Sequence, residues 1–394
     1  MKHMIEKLKK LPLLQMGMLT FLILNASISF TIFPFLQLLS YLVLGICLLT
    51  FAVLSVMSLR KPIINYLDAC IIIYLMLLLG FTVMNGTNIK IAIYRSIEVG
   101  VLIMILNYWE KPEVMVKTFA FVLSCCVYAN LLIMIIFPDW MFVAKDTFDS
   151  YLLGGNYNQI GGRLIFALVL SLLCTKFHKI WMVNFFFMSI VSVVTLAMVG
   201  SMTSLSCILL FLVFCMIPSE KLQKACCIGF FLFYLMFQTV VVFSGEGLHN
   251  NELAVYIIED VLGKDVTFTH RTQLWDAAGR KFAESPLFGY GFVDSEWFLS
   301  EMDSFAIGPH NFIYNVLLNG GLTLISIFLL MLLIVIRRIR LRYDKMGNML
   351  LMGLCTMFFM MTMEVFPFFF VFCLFYVIYN YPIMKFKTPC LKQQ

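Results

Sequence analysis

The feature that most constrains this chain is a series of apolar runs, each about as long as a helix needs to cross a bilayer, separated by short polar breaks. A crossing helix takes about 20 apolar residues, fewer where neighbours shield it. Runs of this kind lie near 12–33, 36–58, 64–84, 90–107, 115–137, 157–175, 180–200, 203–217, 225–244, 310–336, 348–365 and 367–384, which makes twelve. The residues between them leave no room for a separate soluble domain. Only 13% of the 394 residues are charged and 62% are hydrophobic, whereas a soluble domain carries about a quarter charged. The expectation is an all-α, polytopic integral membrane protein with about 12 transmembrane helices. Residues 1–394 form a single membrane domain, and 245–309 form one long, partly helical extracytoplasmic loop.

Charge placement sets the orientation. With twelve spans and a cytoplasmic N-terminus, the inner segments hold 20 of the 28 Lys and Arg, including the run Arg337, Arg338, Arg340 and Arg342. The positive-inside rule therefore puts both termini in the cytoplasm and the long loop outside. It also accounts for the net charge of +6, so no nucleic acid is expected as a partner. The break at Gly200-Ser201-Met202-Thr203 must be a tight turn; without it the basic run would face outward. No N-terminal cleavage site is evident, and the first apolar segment reads as a retained span. Eleven of the 12 cysteines fall in apolar runs, Cys390 lies in the tail and none is in the long loop, so they read as apolar filler and not a disulfide framework. No inverted or parallel internal repeat appears, unlike many transporters.

Ionisable groups inside spans are costly and mark function by default. Arg95, Glu98, Arg163 and Glu364 all fall in the outer half of their spans, on the side of the long loop. A transporter would more often place its polar site near the midplane. The pattern instead predicts a cavity open to the outside, lined by charge and floored by apolar helices. Arg95 and Glu98 are also spaced at i and i+3 to pair with each other, and Arg163 could reach the interface. Asn158 lies among Gly154, Gly155, Gly161 and Gly162; the last two suit close helix packing.

The stretch Arg271–Gly321 concentrates the remaining polar chemistry. RTQLWDAAGRKFAES and NELAVYIIEDVLG have helical periodicity, and SPLFGYG, with Pro286, Gly289, Tyr290 and Gly291, is a turn. From His310 a helix should carry His310, Asn311, Tyr314, Asn315, Asn319 and Gly321 on about one half of its circumference. Lipid cannot satisfy three asparagines, so that half faces the bundle or a water-filled cavity. His310 would top it at the membrane surface, where a neutral imidazole can accept a proton. Arg271 and Arg280 offer planar forks for phosphate oxygens, and Trp275 either stacks on a sugar face or pins the loop to the interface. No P-loop, HExxH, GxSxG, CxxC or paired-acid motif occurs at useful spacing, so no cofactor or metal is expected.

An asparagine before a span, an R-x3-W helix, a PLFGYG turn, PHN and the GG-containing HNFIYNVLLNGG span together resemble the O-antigen ligase/polymerase superfamily over roughly 155–365. The likeness is nearest to Wzy-type polymerases of capsular, O-antigen or exopolysaccharide repeat units. The resemblance implies inverting, metal-independent glycosyl transfer on the outer face of the plasma membrane. Donor and acceptor would be oligosaccharides on undecaprenyl diphosphate, with a flippase and a chain-length regulator as associates. It maps the family's loop histidine onto His310, its loop arginine onto Arg271 and its span arginine onto Arg163. The family's Ser-Arg pair has no arginine here, since the matching run is Gly200–Ser204. Arg163, Arg95 or Arg280 would then replace that cation. His310 is the expected base, with Glu364 as a second candidate; Asn158, Trp275, Tyr290, Asn311 and Asn315 are the expected substrate contacts. An O-antigen-ligase-type transfer, a lipid-linked oligosaccharide flippase and a membrane scaffold are the alternatives.

Overall fold

The computed structural model describes residues 12–28, 65–108, 112–137, 142–143, 149–154, 157–245, 270–302 and 308–386, with isolated positions in 38–49 and at 247 and 256. Most of the expected span 36–58 and almost all of the NELAVYIIEDVLG stretch lie outside the described residues. What is described is helical, apart from a two-residue antiparallel ribbon, β1 (Phe142–Val143) with β2 (Asp149–Ser150), and an isolated bridge between Ile28 and Leu153. The helices are α1 (Pro12–Ser27), α2 (Tyr66–Asn85), α3 (Ile89–Tyr108), α4 (Pro112–Ile136), α5 (Tyr157–Cys174), α6 (Ile180–Met198), α7 (Met202–Met216) and α8 (Glu220–Phe237). They continue with α9 (Arg271–Glu284), α10 (Ser295–Glu301), α11 (Phe312–Ile339), α12 (Lys345–Met360) and α13 (Phe368–Asn380). Five helices are long and apolar enough to cross a membrane, among them α2, α4 and α6, and several shorter ones are equally apolar. The chain is a multi-pass membrane protein by these measures.

Contacts sort the helix ends into two groups. At one end Asp68 meets Tyr376, Glu113 accepts from the Lys385 amide, and Asn348 donates to the Glu220 carbonyl. This end also carries Arg337, Arg338, Arg340 and Arg342, and we call it the basic end. At the other, the loop end, the α2–α3 hairpin tip meets the turn between α9 and α10 and the capping residue Asp294. Local side-chain caps start some of the helices. Asn65 and Asp68 form a reciprocal capping box at the start of α2, and Asp344 accepts from the Gly347 amide at the start of α12. The turn at Gly200 joins α6 to α7 as the spacing requires.

Lipid offers helices no hydrophobic drive toward one another, so close approach and aromatic packing hold the bundle. A Cβ on Gly161 would overlap Ser204, and one on Gly162 would lie 2.5 Å from Phe366, which bears out the packing expectation. Phe328 packs its ring 5.6 Å from Phe375 and 6.0 Å from Phe358.

The main departure from the sequence pattern is in α11. It is not one straight helix: Gly320 and Gly321 have non-helical backbone angles, and Gly321 has φ +59° and ψ −154°, a combination essentially confined to glycine. The rings of Phe312 and Phe328 lie 5.2 Å apart, whereas sixteen residues of straight helix would separate them by about 24 Å. Phe312–Asn319 is therefore a half-helix folded back against the rest of α11. Phe312 consequently lies against Met361 and Phe368, and His310, two residues before it, meets Glu364 and does not top a continuous stripe.

The expected SPLFGYG turn fills this elbow. The Tyr290 and Gly291 amides donate to the Leu318 and Asn319 carbonyls (2.7 and 3.0 Å), and the Leu322 and Thr323 amides donate to the Pro286 and Leu287 carbonyls (2.8 and 3.2 Å). Broken backbone at membrane depth needs such partners, because lipid supplies none. The same turn is tied to the hairpin tip: Thr82 Oγ1 accepts from the Phe292 amide (2.8 Å), and Thr87 donates to the Tyr290 carbonyl (3.0 Å).

Candidate active site at the loop end

Between α2, α3, α5, the half-helix and the 365–369 segment lies a cavity of about 260 Å³. Its polar lining is Arg95, Glu98, Gln159, Asn315 and Asn319; the rest is apolar, including Leu75, Leu78, Phe366 and Phe368. Arg95 pairs with Glu98 at 3.2 Å, as their spacing allows, and Glu98, only 1% exposed, also accepts from Asn25 at 2.9 Å. Charge thus lines a cavity floored by helices, at the end that carries the loop.

Beside the cavity stands a histidine–carboxylate pair. His310 Nδ1 lies 3.2 Å from Glu364 Oε2, and the other Glu364 oxygen accepts from the Val365 amide (3.1 Å). Val365 itself lines the cavity, so the pair is next to it and not among its lining residues. The backbone at His310 is left-handed (φ 46°), an uncommon and costly conformation for a non-glycine residue and one that recurs at functional sites. With Nδ1 committed to the carboxylate, Nε2 is the nitrogen presented to a ligand, in the orientation that suits a general base. The two residues expected as separate candidates form one unit.

Arg163 is 5% exposed and sits behind Gln159. It donates to the carbonyls of Gln159 (2.9 Å) and Ala26 (3.3 Å), lies over the Phe370 ring, and has no carboxylate partner among the described residues. Its Nε has no partner at all there. Arg271 begins α9, half-buried, with no ion pair among the described residues.

Other expected contacts are placed differently. Trp275 is fully buried, packed with Val242, Ala278, Val293, Phe298 and Tyr314, so neither a sugar face nor the membrane interface reaches it; it fastens α9 onto the half-helix. Arg280 projects outward, its side chain 70% exposed, and is spent on Asp276 at 2.9 Å. Asn311 is buried and its amide is consumed. It exchanges hydrogen bonds with Gln238 (3.0 and 3.3 Å), donates to the Thr362 carbonyl (3.1 Å) and caps the half-helix through the Tyr314 amide. Tyr290 turns its hydroxyl to the Lys281 carbonyl (2.8 Å). Asn158 lies in the first turn of α5, and its side chain is outside the described residues. Of the amides, Asn315 is the expected contact that does face the cavity.

Gln159 and Gln238 were not among the expected site residues. Gln238 is a lone amide in an apolar run and Gln159 follows Asn158 at the edge of one, and that was the available signal. Gln238 is aimed by a widened turn, Gln238–Val242, which continues α8 toward the half-helix.

The α9–α10 segment is braced over this end by Lys281, which reaches Glu284 (2.9 Å) and Glu301 (3.1 Å). The bond from Lys281 holds Glu284 below the usual carboxylate range, and the bond to Glu284 raises Lys281. Comparison with family models, with curated proteins and with solved structures finds no match.

Proposed function

We propose that this chain is a polysaccharide polymerase that joins undecaprenyl-diphosphate-linked oligosaccharide repeat units on the outer face of the plasma membrane. The observation that carries the reading is the His310–Glu364 pair, recessed at the loop end beside a cavity that also holds a charged pair and two amides. Twelve spans with both termini cytoplasmic belong to the same proposal, supported by the basic residues gathered at the end opposite the loop. So do a flippase and a chain-length regulator as partners, which rest on the family resemblance.

In this reading the acceptor hydroxyl attacks the anomeric carbon of the donor while the bond from that carbon to the diphosphate oxygen breaks. The acceptor proton passes to His310 Nε2, and Glu364 stabilises the imidazolium that forms. One displacement inverts the anomeric centre. The diphosphate departs on its lipid, and its growing charge is met by cations fixed before the reaction, Arg163 behind Gln159 and Arg271 on α9, while Arg95 is already paired with Glu98. Trp275 serves by seating the helix that bears Arg271.

The test is product length from the purified chain in nanodiscs with lipid-diphosphate repeat units. A polymer ladder that persists in EDTA and is lost in folded His310→Ala and Arg271→Ala supports the reading. A single transfer of glycan to a different acceptor points to a ligase, and movement of the lipid without bond formation points to a flippase.

A further inference from the structure

We infer that the cavity between α2, α3 and the half-helix is a subsite for one neutral sugar ring, read by Asn315, Asn319 and the Arg95–Glu98 pair. The inference rests on the glycosyltransferase reading and narrows it. Charge comes first. Among the lining residues Arg95 and Glu98 cancel, so the cavity has no net charge to hold a phosphate or a uronate.

Hydrogen-bonding groups come second. Asn315 has no side-chain partner among the described residues. Asn319 is held by one atom, since its Oδ1 accepts from the Val293 amide at 3.3 Å, leaving Nδ2 without a partner among the described residues. The two amides are one turn apart on the same face of the half-helix, the spacing that lets neighbouring side chains meet one ligand. On α3, in the same lining, Glu98 offers a carboxylate and Arg95 a guanidinium. Vicinal hydroxyls both donate and accept, so they match this mixed set, whereas a phosphate only accepts. The apolar remainder, including Phe366 and Phe368, suits the C–H faces of a ring. Size comes third: about 260 Å³ is just below the range for drug-sized ligands, enough for one ring and too small for an oligosaccharide. The ring nearest the reacting centre is the one that fits, because the cavity adjoins Glu364 through Val365.

The experiment is saturation-transfer NMR on the full chain in nanodiscs, with methyl α-glucopyranoside as the neutral probe. Methyl glucuronide and inorganic pyrophosphate are the charged probes. Binding of the neutral glycoside, weakened about tenfold by Asn315→Ala and by Glu98→Gln, is expected; tenfold corresponds to one lost hydrogen bond. Asn315→Ala removes no side-chain hydrogen bond seen among the described residues, so its fold should persist; Asn319→Ala tests the second amide. Wild type failing to bind the glycoside, unchanged binding in the variants, or displacement of the glycoside by pyrophosphate would each overturn the inference. The readout needs no turnover, so binding that survives with no polymer ladder would sink the polymerase reading and leave the subsite standing.

Discussion

At the scale of single residues, the proposed chemistry turns on a contact between residues 310 and 364, which most of two helices separate in sequence. His310 and Glu364 act as a unit only because the half-helix folds back to bring Nδ1 to the carboxylate. His310→Ala should therefore lower the glycosyl-transfer rate by about 10²–10⁴-fold, the usual worth of a positioned general base. Glu364→Gln keeps a polar atom at the same place but removes the charge that stabilises the imidazolium. It should lower the rate less than His310→Ala and alter the pH profile, which initial rates across pH would reveal. Equal rates for wild type and both variants would remove the pair from the mechanism. Arg280→Ala should leave transfer within about twofold, since an exposed i,i+4 pair contributes little.

At the scale of elements, the elbow of α11 and the 285–291 turn form one joint. Gly321 has φ +59°, and a Cβ there would overlap the Leu287 backbone. Gly321→Ala should cost at least about 1–3 kcal/mol and lower the unfolding midpoint in detergent. Gly229→Ala, in α8 with open space around it, should leave the midpoint unchanged or raise it slightly. The same midpoint in both variants would refute the joint. The Lys281–Glu284 pair in the last turn of α9 predicts a pH dependence. Glu284 has a folded pKa lowered by Lys281, so its contribution is present above the unfolded value near 4.5 and is lost as pH falls through the folded one. Lys281, raised, contributes below 10.5 and loses that as pH climbs through its folded value. Limited proteolysis at the C-terminal end of α9 should be slow near neutrality and faster in acid, and Lys281→Met should abolish the difference.

At the scale of the whole molecule, every polar feature of the candidate site lies at one end of the bundle and the arginine run lies at the other. The proposed orientation makes this asymmetry a sidedness. Glu296→Cys, on exposed α10, should react with an impermeant maleimide added outside intact cells. Tyr343→Cys, beside the arginine run, should react only after permeabilisation. The reverse pattern would invert the topology and place the cavity in the cytoplasm. The lipid-facing surface is broad, with α6 only 22% buried, as expected where hydrocarbon and not water is the solvent.

Membrane residence, the helical character of the described chain, the tight turn at Gly200 and the clustering of buried charge at the loop end were legible in the sequence, because hydropathy acts over whole segments and is indifferent to partners. The pairing of Arg95 with Glu98 was legible too, since i and i+3 are neighbours on any helix. What the sequence could not decide is where a side chain within the polar stripe is spent. Asn311 and Asn315 look alike at a spacing of four; only the approach of α8 with Gln238 consumes the first and leaves the second facing a cavity. Trp275 reads as an interface or sugar-stacking residue until the half-helix beneath α9 buries it. Gly320-Gly321 permits a bend, but permission is not direction. The fold-back follows from the turn amides that satisfy the broken carbonyls, and those bonds join residues some thirty positions apart, beyond the reach of any local pattern.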